Sequence, residues 1–174
     1  MQLIVMSGLP GAGKSSIAEA IGRELGMPVF AKDRLEAALR RCDFAQEPGT
    51  AQRLGYAGYE LITALAEQQL RLGQSAILDS VASTDSIRSR WRGLASTFGA
   101  GWYVIECICT DTSLHRERLL SRKRGILDWP ELEWSEVERV QSYYAPWQQE
   151  HLILDAIHPL QTNIDRAIRY VLAT

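Results

Sequence analysis

With 174 residues, 46% of them hydrophobic and 23% charged, the chain has the makeup of one globular domain with room for a sizeable core. A net charge of −2 excludes a protein that coats nucleic acid through bulk charge, while leaving room for a local basic pocket. Cys42, Cys107 and Cys109 lack metal-like spacing and read as reduced thiols of a cytoplasmic protein, and no apolar run reaches the length of a membrane span.

Residues 1–6, MQLIVM, are too short for the apolar region of a signal peptide and carry no basic lead. The apolar run at 3–7 instead predicts a strand buried on both faces. Ile17, Ile21 and Leu25 then fall on one face of a helix that Gly26 and Pro28 stop. A short second strand is expected at 28–31 and a short helix at 33–41. The longest helical pattern spans 50–72, with Leu54, Gly58, Leu61, Leu65 and Leu72 as its stripe. Gly55 and Gly58 each cost about 1 kcal/mol against Ala inside a helix, which suggests a close approach there.

A third strand is expected at 75–80, followed by a helix with Ile87, Trp91, Leu94 and Phe98 inward. Residues 102–109 predict a fourth strand in which Cys107 and Cys109 share a buried face. A basic helix follows at 112–124, then a loop at 125–134. Ser135 and Glu138 have capping-box spacing, and Val137, Val140, Tyr144 and Trp147 form the stripe of the helix behind them. A fifth strand at 151–155 and a last helix at 162–173, with Ile164, Ile168 and Val171 inward, complete the chain. This alternation predicts an α/β fold: a three-layer sandwich with a five-stranded parallel sheet and helices on both faces.

GLPGAGKS at 8–15 fits G-x-x-x-x-G-K-[ST] through Gly8, Gly13, Lys14 and Ser15, between a predicted strand and a predicted helix. Glycines let backbone N–H groups turn inward around phosphate oxygens, and the helix start adds unpaired donors and its dipole. Lys14 would reach the β- and γ-phosphates, and the Ser15 hydroxyl would ligate Mg²⁺. Asp79 ends the third strand, where a carboxylate points to the nucleotide crevice and suits a second Mg²⁺ contact; a helix cap is the other reading.

Asp33, at the exit of the second strand, suits a group that orients an acceptor hydroxyl and takes its proton, and also suits a helix N-cap. Arg118 and Arg122, at i and i+4, share a helix face that could clamp phosphates; a solvated basic helix is the alternative. Arg88 could face the acceptor pocket or lie at the surface. His115, His151 and His158 show no ligand spacing, and Trp129, Trp134 and Trp147 read mainly as packing.

On these residues the sequence resembles the P-loop small kinases. That group includes polynucleotide 5′-hydroxyl kinase domains, chloramphenicol phosphotransferase, zeta-toxin-like kinases and single-domain AAA-type ATP-binding proteins. The match runs through GLPGAGKSSIA, AKDRLEAAL, ILDSVASTDSIRSRWRGLA, RERLLSR and the C-terminal LILDAIHPLQTNIDRAIRYVL. It implies a nucleotide-kinase-like P-loop fold in one domain with a lid around 116–134. It also implies a cradle of Gly8, Pro10, Gly11, Ala12, Gly13, Lys14, Ser15 and Ser16 for ATP, with Mg²⁺ on Ser15 and Asp79. Lys14, Asp33, Arg118 and Arg122 would be the catalytic groups, and Asp33, Arg34 and Arg88 would bind the acceptor. Where relatives carry an arginine three residues after that aspartate, this chain has Glu36, which would repel a phosphate.

The expected activity is therefore transfer of the γ-phosphoryl of ATP to a hydroxyl of a small acceptor: nucleoside, nucleotide, sugar or antibiotic. A small molecule ranks above a polynucleotide 5′ end because the chain is acidic overall. The other class is a nucleotide-hydrolysing regulatory switch, against which stands the lack of an N-K-x-D motif. A monomer or homodimer without a membrane partner is expected.

Overall fold

The computed structural model describes residues 1–42, 50–121, 125–127 and 130–173, and the backbone alone for 50–52. Its strands are β1 (Gln2–Ser7), β2 (Val29–Ala31), β3 (Ala76–Asp79), β4 (Gly101–Ile108) and β5 (Leu152–Asp155). Its helices are α1 (Lys14–Leu25), α2 (Lys32–Arg40), α3 (Thr50–Arg71), α4 (Asp85–Thr97), α5 (Thr112–Ser121), α6 (Trp134–Gln141) and α7 (Leu160–Leu172). The strands form one sheet in the order β2-β3-β1-β4-β5, and every neighbouring pair is parallel.

The period of two along β1 divides the core. Ile4 and Met6 face a cluster with Ile17 and Ile21 of α1 and Ala167 and Val171 of α7. Leu3 and Val5 face the opposite cluster, with Ile62, Ala66 and Leu70 of α3 and Trp91 and Ala95 of α4. Helices thus cover both faces, as the alternation of elements predicts. Trp91 is fully buried, and its Nε1 donates to Thr63 Oγ1 at 2.8 Å, so the largest core side chain keeps its polar atom satisfied.

The structure corrects several details. The buried stripe of α3 is Leu54, Gly58, Ile62, Ala66 and Leu70, whereas Leu61, Leu65 and Leu72 are exposed. Leu54 and Gly58 are buried as expected, but beyond Gly58 the buried face continues through Ile62, Ala66 and Leu70 instead of the leucines, since alanines also fill close-packed faces. Helix α2 begins one residue early, with Ala31 as its N-cap, so Asp33 lies in the first turn and not at the N-cap. No capping box forms at α6: Glu133 is the N-cap and makes no side-chain cap bond. Helix α6 ends at Gln141, so Tyr144 and Trp147 are not on its face. Cys109 lies past the end of β4, half-exposed, while Cys107 is buried.

Candidate functional site

The sheet order sets the site. Strand β3 lies between β2 and β1, and the register pairs Asp79 with Ala31 on one side and Met6 on the other. The chain leaving β2 carries Asp33 in the first turn of α2, on one side of the β3 exit, and the chain leaving β1 carries the glycine loop on the other side. Asp33 is half-buried and Asp79 is buried. The sequence-predicted acceptor carboxylate, metal carboxylate and phosphate loop thus follow one another along the C-terminal edge of the sheet, where open α/β sheets hold their ligands.

The loop needs its glycines. Gly8, Gly11 and Gly13 have φ of 123°, 83° and 92°, a region that side chains disfavour. A Cβ on Gly8 would also collide with the Cys107 carbonyl oxygen of β4. Gly13 is the N-cap of α1 and has no side chain with which to cap that helix. A left-handed loop emptying onto an uncapped helix start is a fitting cradle for phosphate. Lys14 is buried, and its Nζ donates to the Gly8 and Leu9 carbonyls at 2.8 Å each. Ser15 and Ser16 stand half-buried in the first turn. Beneath the loop, burial pushes the Cys107 thiol up to about 12, with the Lys14 charge opposing, so it stays protonated and serves as packing.

Sequence reasoning missed the residue that anchors the loop tip. His115 of α5 is buried, and its Nε2 lies 2.7 Å from the Pro10 carbonyl oxygen. A carbonyl only accepts, so Nε2 carries the proton. The His115 ring meets Trp134 edge-on at 5.3 Å, and Arg116 lies 4.7 Å over that same indole. Ligand spacing could not reveal this histidine, because its partner is a backbone carbonyl of the loop.

The base of the loop is held by a second set. Ser7 Oγ accepts from Trp147 Nε1 at 3.0 Å and lies 2.7 Å from the Tyr144 hydroxyl. Tyr144 donates to Glu106 Oε1 at 2.6 Å, and His151 Nε2 meets Glu106 Oε2 at 3.0 Å. Burial and the acceptor Glu106 both hold the Tyr144 phenol well above its ordinary value. The loop after β3 joins the same framework: Gly8 N–H donates to the Val81 carbonyl at 3.3 Å, and Ala145 N–H to that of Ser83 at 2.9 Å.

The predicted basic residues divide. Arg34 is exposed and pairs with Glu19 at 3.1 Å. Arg88 is turned inward: Nε donates to the Ala82 carbonyl at 2.7 Å and Nη1 to that of Pro146 at 3.2 Å, and its guanidinium lies 3.9 Å over the Trp147 ring. Arg118 donates through Nη1 to the Ala156 carbonyl. Arg122 and part of the expected lid lie outside the described residues. Glu36 does not stand at the site as an exposed negative charge. It is buried in α2 against Gly58 and paired with Lys32, whose Nζ also lies 4.7 Å over the Tyr59 ring. Burial nonetheless raises the Glu36 carboxyl above its ordinary value, with Lys32 opposing.

Among the described residues no group of three or more His, Cys, Asp and Glu could hold a metal. A pair such as Ser15 and Asp79 suits Mg²⁺, which keeps several of its waters. No described helix is long and apolar enough to cross a membrane.

A family model for an AAA domain (AAA_33) matches residues 3–146. The chain belongs to this AAA domain family. Among sequence relatives, an uncharacterised protein of Mycobacterium tuberculosis is 28% identical over 136 residues, 74% of this chain, and the chain spans 27% of that relative's length. A UPF0200 protein of Aeropyrum pernix is 27% identical over 148 residues, covering 80% of this chain and 75% of its own. Solved structures place this AAA domain in the P-loop kinase fold. A candidate kinase from Chloroflexus aurantiacus superposes with a TM-score of 0.80 at 22% identity, covering 99% of this chain and 97% of its own. A gluconokinase from Sinorhizobium meliloti gives 0.72 at 19%, covering 99% and 92%. The APS kinase of Mycobacterium tuberculosis, in complex with AMPPNP and APS, gives 0.65 at 16%, covering 98% and 97%.

Proposed function

We propose that this AAA domain is an ATP- and Mg²⁺-dependent kinase that moves the γ-phosphoryl group to a hydroxyl of a small molecule. The observation that supports this reading is the strand order, which makes neighbours of β2, β3 and β1, whose C-terminal exits carry Asp33, Asp79 and the glycine loop. A hydrolase switch needs the loop and the metal carboxylate. A second carboxylate one strand further out is what an acceptor hydroxyl requires.

In this reading the backbone of 8–15 and Lys14 hold the phosphates, and Lys14 would exchange its two carbonyl partners for phosphate oxygens. Ser15 and Asp79 would hold Mg²⁺, which supplies charge neutralisation across the phosphates. Asp33 orients the acceptor hydroxyl and receives its proton as the acceptor oxygen bonds to the γ-phosphorus and ADP leaves. Arg118 and Arg122 would add charge from the lid, Arg118 after leaving the Ala156 carbonyl. Arg34, exposed and paired at the surface with Glu19, keeps an anionic acceptor within the proposal. Arg88 supports the acceptor side by fixing the β3–α4 loop.

The test is ATP consumption over a panel of sugars, nucleosides, nucleotides, antibiotics and 5′-hydroxyl oligonucleotides. An acceptor-dependent rise is expected, and Asp33→Asn should lower it by about 10²–10⁴-fold while ATP affinity stays near wild type. Unchanged acceptor turnover in Asp33→Asn would remove Asp33 from the chemistry. A flat panel over slow basal hydrolysis would favour the switch.

A further inference from the structure

Successive carbonyls of the phosphate loop are held from two different elements. Lys14 Nζ takes those of Gly8 and Leu9 at 2.8 Å each. That of Pro10 goes to His115 Nε2 of α5 at 2.7 Å, in a buried hydrogen bond. Helix α5 also covers the next residue: a Cβ on Gly11 would stand 2.9 Å from Leu119 Cδ1 and 3.1 Å from His115 Nε2. The imidazole is fixed in turn by the edge-on indole of Trp134, whose Nε1 donates to Glu138 Oε1 at 2.9 Å.

The Pro10 carbonyl shares one planar trans peptide with the Gly11 N–H, and in such a unit the two point in opposite directions. Whatever holds the carbonyl therefore aims the N–H. The backbone does not do this by itself. Gly11 sits at φ 83°, and glycine takes either sign of φ about as readily, so this peptide can turn over unless a side chain holds it. We infer that His115 is a positioning residue for phosphate binding, keeping the Pro10 carbonyl on the α5 side so that the Gly11 N–H faces the cradle, an assignment that deepens the proposed function and rests on its phosphate-loop reading. In that function Lys14 lets go of the Gly8 and Leu9 carbonyls when it turns to phosphate oxygens. His115 stands on another helix and takes no part in that exchange, so the loop tip stays ordered while Lys14 changes partners. A loop ordered before binding loses less entropy on binding and holds its ligand more tightly.

Calorimetry of the full chain with ATP and with inorganic tripolyphosphate, both with Mg²⁺, tests this on three variants. A Gln amide nitrogen reaches the place of Nε2. An Asn amide nitrogen reaches only that of Nδ1 and falls short of Pro10, and Leu fills the space with no donor. His115→Gln should bind both ligands within about twofold of the wild type, whereas His115→Asn and His115→Leu should bind both about fivefold more weakly, the worth of one neutral hydrogen bond. A merely structural role would not separate Gln from Asn, two amides with the same polar groups. Should the Asn or the Leu variant fail to fold, the other keeps the comparison with Gln. The assignment is overturned alone if the wild type binds, Lys14→Ala weakens it, and the His115 variants all bind alike, whether tightly or weakly. A wild type that binds neither ATP nor tripolyphosphate overturns the phosphate-loop reading, and the role of His115 with it.

Discussion

Two glycines of one helix should respond in opposite directions to the same substitution. Gly55 and Gly58 both lie inside α3, and Ala at either should gain about 0.5–1 kcal/mol from backbone entropy. At Gly55 the new methyl meets, among the described residues, nothing closer than Glu36 Oε1 at 4.0 Å, so the gain is kept. At Gly58 it would stand 2.6 Å from Glu36 Oε1 and 2.8 Å from Glu36 Cγ. The carboxylate must then leave Lys32, in a pair whose side chains are 7% and 14% exposed. Breaking a buried pair costs about 3–5 kcal/mol. Glu36 can swing toward water, and Lys32 keeps the Tyr59 ring beneath it, so roughly half of that cost applies, and Gly58→Ala should be net destabilising by about 1–2 kcal/mol. Thermal unfolding followed by circular dichroism reads both variants, and each 1 kcal/mol should move Tm by about 2–4 °C. In a Glu36→Ala background Gly58→Ala should become stabilising, because the clash is gone. Equal stability of Gly55→Ala and Gly58→Ala would refute the packing of Glu36 against α3.

The same glutamate makes a pH prediction. Its folded value lies above the ordinary 4.5, so the folded state holds the proton longer, and the stabilisation is full below 4.5 and lost as pH rises through the folded value. Wild-type stability should therefore fall relative to Glu36→Gln as pH rises from 4.5, read from urea midpoints; a relative rise would contradict the burial. Gly8→Ala adds a collision with the Cys107 carbonyl to a left-handed φ, so a loss of about 3 kcal/mol or more is expected, together with weakened ATP binding in calorimetry. A wild-type Tm would mean the loop does not press on β4. Lys14→Ala should lower ATP affinity and reduce turnover by about a hundredfold or more; an unaltered rate and affinity would sink the phosphate-loop argument.

The strands, their parallel order and the position of the phosphate loop were legible because each rests on local chemistry. Apolar runs of strand length gave the buried strands, and Gly8, Gly13, Lys14 and Ser15 gave the loop. Asp33 and Asp79 could be placed at strand exits, but that their strands are neighbours came only from the sheet order. The partners of Arg88 and Arg118 were not legible. Both donate to backbone carbonyls, which have no sequence signature. Glu36 was read as a repelling charge, and the lysine that answers it lies one turn earlier on the same helix. That i, i+4 pair was available in the sequence, and only the burial supplied by Gly58 was not.

The segment 142–151 shows where a periodic pattern misleads. Val137, Val140, Tyr144 and Trp147 fit one helical face, but Pro146 has no N–H and clashes with the turn before it, so a helix through Trp147 was excluded by the same sequence. Released from the helix, Tyr144 and Trp147 reach across β1 to Ser7, and Trp147 takes the Arg88 guanidinium on its ring. His151 and Tyr144 then converge on Glu106, which the β1–β4 register pairs with Ser7. The base of the phosphate loop is therefore held by side chains from the last third of the chain. The helix stops at Gln141, and the residues that follow it became the support on which the loop stands.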